Sequence, residues 1–157
     1  MKTLITPAQV AAAAFRAPDM ITPEAVPEAT ILAAEQKFIR PVLGAALCDA
    51  MGRGEYPDLL ENFVKLPLAL WVKSLMLPSL ALQTGTAGVV EANSKNLARA
   101  GEGKIHAAIR RLRGDARALM RRAVEQIEAS PDLYPDYSSA DNVLNHCSME
   151  GGVVINK

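Results

Sequence analysis

Four arginines have a type and spacing that suggest chemistry: Arg110, Arg113, Arg117 and Arg121 recur at steps of three and four residues. Such steps place side chains on one face of a helix. Four guanidinium groups in a row could follow the phosphate backbone of a nucleic acid. They could also form a solvated helix face or pair with carboxylates on a neighbouring subunit. The sequence favours this second interpretation, because charge rows on helices are usually solvated and no aromatic residue is interleaved to stack bases.

The other polar residues give no pattern typical of a catalytic, cofactor-binding or metal site. His106 and His146 are far apart in the chain, and neither has a cysteine or carboxylate at zinc-site spacing. The Gly101–Lys104 stretch lacks the glycine spacing and the hydroxyl residue of a phosphate-binding loop. An enzyme that uses His146 and Cys147 is the weakest alternative, since a polar tail holds a nucleophile poorly against its base. We therefore predict that the protein is not an enzyme.

Length and composition indicate one helical domain. The chain has 157 residues, half of them hydrophobic but only 4% aromatic, so small aliphatic side chains must form the core. Lysine plus arginine and aspartate plus glutamate both number 17, and this zero net charge gives no overall attraction to nucleic acid or to an anionic membrane. It also weakens the repulsion between copies, which favours self-association.

Cysteine usage and hydropathy bear on the compartment. Two cysteines, Cys48 and Cys147, leave a disulfide open but do not make a secreted disulfide scaffold. We expect no signal peptide and no transmembrane helix, because no apolar run reaches about 18 residues without interruption. The sequence therefore predicts a cytoplasmic protein that does not enter a membrane.

Helix signals in the first half of the chain are clear. Thr6, with Gln9 three residues later, predicts an N-terminal capping box, and a second helix should begin near Glu28. Pro41 is expected to interrupt that helix. A central helix capped by Asp58 should follow, with Pro67 and Pro78 kinking or dividing it. The side chains predicted to make most of its core contacts are Leu70, Trp71, Leu75, Leu77 and Leu80.

The second half of the chain combines a hairpin signal with a long helix. Short β-branched runs around glycines predict a hairpin at Leu82–Val90. An apolar stripe that includes Leu112 and Leu119 predicts a helix from about Glu102 to Ala129. We therefore expect a mainly α fold: a small helical bundle with a proline-kinked central helix, one long C-terminal helix and a small β-hairpin. Residues 1–137 should form the helical domain and residues 138–157 an extended C-terminal tail, mobile until it meets a partner.

The order of three segments resembles that of small head–tail connector (neck, or head-completion) proteins of tailed bacteriophages and prophages, particularly those of gut Bacteroidetes. The segments are ITPAQV, ATILAAEQKFIRPVLGAAL and ENFVKLPLALWVKSLMLPSLALQTGTAGVV. The third segment is the most specific, because its helix containing VKLPLALW and LPSL runs directly into a glycine turn followed by two valines. The likeness extends from residue 4 to about residue 137.

The resemblance implies a virion structural protein that is assembled in the bacterial cytoplasm. Its subunits would form a homo-oligomeric ring, a neck adaptor between portal and tail proteins, with non-specific contact to the DNA in the channel. The four arginines would face the lumen or a seam between subunits. The alternative is a small helical DNA-binding or regulatory protein that uses the Arg110–Arg121 face. Zero net charge and the lack of a helix-turn-helix pattern argue against this alternative.

Overall fold

The computed structural model describes residues 3–15, 19, 21–80, 82–85, 88–91, 102–145, 148–150 and 153–155, with side chains over 3–15, 19, 21–80 and 103–144. The chain is mainly α-helical, as predicted. The described α-helices are α1 (Pro7–Ala14), α2 (Glu28–Ala34), α3 (Arg40–Leu43), α4 (Ala45–Arg53), α5 (Pro57–Leu59), α6 (Lys65–Leu80) and α7 (Glu102–Glu128). Two π-helical segments, Glu35–Ile39 and Leu60–Val64, join α2 to α3 and α5 to α6.

The first helix begins at the predicted capping box. The Gln9 backbone N–H donates to the Thr6 hydroxyl at 3.3 Å, and the Thr6 N–H donates to the Gln9 side-chain oxygen at 2.8 Å. Pro7 occupies the first helical position, where a missing N–H has no consequence. This local pattern was sufficient to predict where α1 begins.

Prolines at the two π-helical segments do not break the helices, so the expected interruption at Pro41 is wrong. The Arg40 N–H donates to the carbonyl of Glu35, and the Lys65 N–H donates to the carbonyl of Leu60, five residues earlier in each case. A proline ring crowds the carbonyl four residues before it in a regular α-helix. The wider π turn just before Pro41 and before Pro67 accommodates this crowding while the helical path continues.

The helical path that begins with α2 ends at Gly44. Its φ of 82° lies in the left-handed region, which side chains with a Cβ rarely adopt, and it separates α3 from α4. Gly54, with φ of 88°, ends α4 in the same way. The next helix begins after Tyr56, so Asp58 lies in its first turn and is not the cap.

The central helix α6 packs mainly against α7, α1 and α2. Pro78 lies within α6 and does not divide it. The longer helical stretch Pro57–Leu80 has the length and apolar composition to cross a membrane, although here 44% of its most apolar window is buried inside the protein. Lys73 on this stretch donates to the backbone oxygen of Ala14 and to Asp19, both at 2.9 Å.

The predicted core face of α6 needs correction. Trp71 is buried as expected, but Leu70, Leu75 and Leu77 are only partly buried and Leu80 is exposed. The residues of α6 that are buried are Pro67, Leu68, Ala69, Trp71, Val72, Ser74 and Met76. Because α6 is apolar on nearly every side and has neighbours on several sides, spacing alone could not identify its most buried face.

The sequence predicted the start of the long helix α7 at Glu102 and its C-terminal end to within one residue. Short antiparallel strand pairs follow the two long helices: β1 (Leu82–Gly85) with β2 (Gly88–Glu91), and β3 (Ser148–Glu150) with β4 (Val153–Ile155). The turn of the predicted hairpin at Leu82–Val90, residues 86–87, lies outside the described residues, and this hairpin stays a prediction. Residues 138–144, assigned from the sequence to an extended tail, lie against the helical domain: Asn142 is fully buried and Leu144 packs on the core.

Candidate functional site

The four arginines lie on α7 with exposed side chains, as expected for a shared helical face. The buried side of the same helix consists of Ile109, Ala116, Met120, Ala123, Val124 and Ile127. Helical spacing puts the arginine row more than a right angle from the predicted stripe through Leu112 and Leu119, but both leucines are only partly buried. At about 100° per residue, Arg113 is only about 40° around the helix from Ile109. The row therefore borders the buried face.

The row divides according to its neighbours. The Arg117 guanidinium carbon lies 6.0 Å from the centre of the Trp71 ring, and Arg121 lies beside it along the helix. Arg110 and Arg113 lie in the N-terminal half of α7, away from Trp71. Within the part of the chain whose side chains are described, none of the four forms an ion pair with a carboxylate. The row is therefore a cationic surface available to an external partner.

A groove with a volume of about 370 Å³ lies beside the C-terminal part of this row. Its walls come from the first π-helical segment and α3, from α6, from α7 and from the chain after residue 142. The lining residues are Lys37, Phe38, Pro41, Val42, Trp71, Arg117, Met120, Arg121, Val143 and Leu144. We refer to this surface as the basic groove.

The floor of the basic groove is aromatic and apolar. Phe38 and Trp71 stack with ring centres 3.9 Å apart and planes at 10°. Trp71 is only 4% exposed, and its Nε1–H has no hydrogen-bond partner among the described residues. A buried N–H without an acceptor costs free energy, so this ring is held in place by its packing and not by a hydrogen bond.

The rim of the basic groove is cationic. Lys37, Arg117 and Arg121 are exposed around it, and none of the described residues that line it is an aspartate or glutamate. An apolar floor with guanidinium groups at its edge suits a protein segment that combines an apolar side chain with a carboxylate. The sequence identified the two arginines but not the floor, because Phe38, Trp71 and Leu144 are brought together only by tertiary packing.

Glu35 connects the first π-helical segment to Leu4, near the start of the chain. Its side chain is 6% exposed, and its Oε1 accepts a hydrogen bond of 2.7 Å from the Leu4 N–H. Burial raises the pKa of the Glu35 carboxyl, while the Leu4 hydrogen bond and the charge of Arg40 oppose this effect. Glu35 begins the π-helical segment that carries Lys37 and Phe38, so its hydrogen bond ties the start of that segment to Leu4.

A second hollow of about 640 Å³ lies near the C-terminal end of α7, lined partly by Ile127, Tyr134 and Tyr137. The Tyr56 hydroxyl donates to Asp136 at 2.7 Å, and this bond raises the pKa of Tyr56. Tyr56 and Tyr134 also contact each other, with ring centres 5.6 Å apart. These contacts hold the chain after α7 against the helical domain.

The histidines and cysteines bring no reactive cluster together in the described part of the chain. His106 is exposed on α7, and the side chains of His146 and Cys147 lie outside the described residues. Cys48 is buried and unpaired, and burial raises the pKa of its thiol to about 12. Such a thiol stays protonated and is a poor nucleophile. No group of three or more His, Cys, Asp or Glu among the described residues could hold a metal ion.

Comparison with known proteins places the chain in a family. A family model described as "Family of unknown function (DUF6712)" matches residues 30–145, a range that contains all the described residues lining the basic groove. No curated protein and no solved structure matches the chain. Since the matched region covers most of the chain, the protein belongs to the DUF6712 family.

Proposed function

We propose that the protein is a virion structural protein, a ring-forming head–tail connector that acts as a neck adaptor between portal and tail. The resemblance of the three segments to connector proteins supports this proposal. The most specific of them contains Lys65–Leu80, the central helix of the fold. In this proposal the protein is not an enzyme and needs no cofactor. It acts by binding copies of itself and its neighbours in the virion, after assembly in the bacterial cytoplasm.

The observation that carries the proposal is the exposed arginine row beside the basic groove. Four cations share one flank of α7 without an ion pair among the described residues. In a ring this flank would lie at a seam between subunits or face the DNA in the channel. The uncompensated charge that a single copy leaves in solvent would there meet carboxylates or phosphates.

Two finer features belong to the same proposal. The predicted hairpin at Leu82–Val90 would be a contact arm that reaches a neighbouring subunit or the portal. The C-terminal residues after the packed segment 138–144 would be a second arm. The central helix with its prolines would be the rigid element from which the first arm extends.

The test is deletion of the gene from the phage or prophage that encodes the chain, followed by electron microscopy of the particles. The proposal predicts DNA-filled heads and free tails that do not join. Wild-type protein supplied in trans should restore joined particles, and tagged protein should label the neck. Normal tailed particles that lack the protein would contradict the proposal.

The second candidate is a DNA-binding or regulatory protein that uses Arg110, Arg113, Arg117 and Arg121. The same exposure favours it, since an unpaired row of guanidinium groups can meet successive phosphates. A regulator would bind duplex DNA as a free monomer, whereas a ring subunit would present the row only after assembly. The salt dependence of duplex binding by the isolated chain therefore separates the two candidates.

A further inference from the structure

Charge is unevenly distributed along the last third of the chain. Residues 104–122 include seven lysines or arginines and one aspartate, whereas residues 123–156 include six aspartates or glutamates and no lysine or arginine. The boundary falls within α7, so a cationic surface and an anionic surface lie at successive positions along α7 and residues 129–144 after it. A molecule with this polarity attracts copies of itself head to tail.

The anionic end carries an exposed apolar side chain. Leu133 is 65% exposed, more than any other large hydrophobic residue in the described part of the chain, and the exposed Asp132 precedes it. Both belong to the 3₁₀ turn Pro131–Leu133. The Leu133 N–H donates to the Ser130 carbonyl at 3.1 Å, and Pro131 fixes the start of the turn. This ordered turn would lose little conformational entropy on binding.

We propose that the basic groove of one copy binds the Pro131–Leu133 turn of a second copy. Leu133 would pack on the stacked Phe38 and Trp71 rings, and Asp132 would pair with Arg117 or Arg121 on the rim. The chain itself thus supplies the two things that the groove lacks: an apolar side chain for its floor and a carboxylate for its rim.

The contact joins two different surfaces, so it is heterologous. Each copy keeps a free groove at one end and a free turn at the other, and repetition gives a closed ring or an open filament. The inference rests on the proposed function, since it names the contact by which connector subunits would join. The contact itself can be tested without any virion.

The test uses two variants of the full chain, each with one half of the contact broken. The groove variant is Arg117→Glu with Arg121→Glu, and the turn variant is Asp132→Arg with Leu133→Ser. All four side chains are exposed, so both variants should fold, which circular dichroism checks. Matched controls are Arg111→Glu, on another side of α7, and Leu66→Ser, an exposed leucine outside both surfaces.

Sedimentation velocity across a concentration series should show wild-type protein and both controls forming species larger than a dimer. Each variant alone should stay monomeric. An equimolar mixture of the two variants should form a dimer and nothing larger, because one intact turn meets one intact groove. Trp71 is the only tryptophan, so its fluorescence should shift in the mixture and not in either variant alone.

Three outcomes would overturn the proposal. They are wild-type protein that stays monomeric at all concentrations, association that survives in either variant, and a mixture of variants that does not dimerise.

Failure of the contact and failure of the proposed function give different results in the phage. If deletion yields unjoined heads and tails but the groove variant restores particles, the connector function stands and the contact falls. If the mixture dimerises but deletion leaves normal particles, the contact stands and the connector function falls.

Discussion

The two longest helices of this protein differ in what they bury. The stretch Pro57–Leu80 has buried residues along most of its length and contacts several other helices. In contrast, α7 is buried mainly over its C-terminal half and leaves its arginines in solvent. The stability of the domain should therefore depend on α6, whereas recognition of other molecules should depend on the exposed flank of α7.

The largest effect on stability should come from the centre of α6. Leu68 is fully buried in the core, so Leu68→Ala should lower the free energy of unfolding by about 2–5 kcal/mol. Leu80→Ala at the exposed end of the same helix should change it by no more than about 0.5 kcal/mol. Urea unfolding of both variants measures the difference. Equal effects at the two positions would remove α6 from the centre of the core.

Two isoleucines within α7 sharpen the comparison. Ile127 is fully buried near the C-terminal end, whereas Ile105 near the N-terminal end is only partly buried. Ile127→Ala should cost about 2–5 kcal/mol in unfolding free energy, and Ile105→Ala less than about 1 kcal/mol. If Ile105→Ala were the more harmful change in the same unfolding assay, the N-terminal half of α7 would belong to the core.

A smaller effect should follow from removing the Glu35 carboxyl. Glu35→Ala leaves the Leu4 N–H without its acceptor and should cost about 1–3 kcal/mol. Glu35→Gln keeps an oxygen acceptor and should cost less. Thermal unfolding of both variants at neutral pH checks this order, which would be wrong if glutamine were as harmful as alanine.

The same carboxyl predicts a pH dependence. Burial raises its pKa in the folded protein above the ordinary 4.5, so the folded chain holds the proton more tightly than the unfolded chain. The stabilisation from this protonation is complete below pH 4.5 and is lost as the pH rises through the raised pKa. The difference in unfolding free energy between wild type and Glu35→Gln should therefore change over this window, with wild type losing stability relative to the variant as the pH rises. No relative change would show that Glu35 is not desolvated.

Local signals predicted the helices better than they predicted the groove. The capping residues Thr6 and Gln9 and the apolar period of α7 act within a few residues of chain, so sequence alone located both helices. Three features required tertiary information: the buried face of α6, the π turns that accommodate Pro41 and Pro67, and the packing of residues 138–144. The groove brings Lys37, Trp71 and Leu144 together across more than a hundred residues of chain, and no spacing rule relates such positions.

The smallest effect on stability should come from the arginine row, although its substitution is the most informative about function. Replacing Arg110, Arg113, Arg117 and Arg121 by glutamine should change the unfolding free energy by less than about 1 kcal/mol, because all four side chains are exposed. A thermal melt checks this. A large loss of stability would mean that the row packs against the core.

The most direct test of whether the arginine row serves protein contacts or DNA recognition is duplex binding by the isolated chain across a salt series, with the fourfold Arg→Gln variant alongside. Glutamine at Lys104, Arg111 and Arg122, cations of α7 outside the row, provides a control. Our account predicts negligible binding by all three proteins. Two results together would contradict our account: tight binding by the wild-type monomer, and a fourfold variant whose slope of log affinity against log salt is smaller by about 3.6. That figure corresponds to four phosphate contacts at about 0.9 each. Those two results would make the protein a DNA-binding regulator.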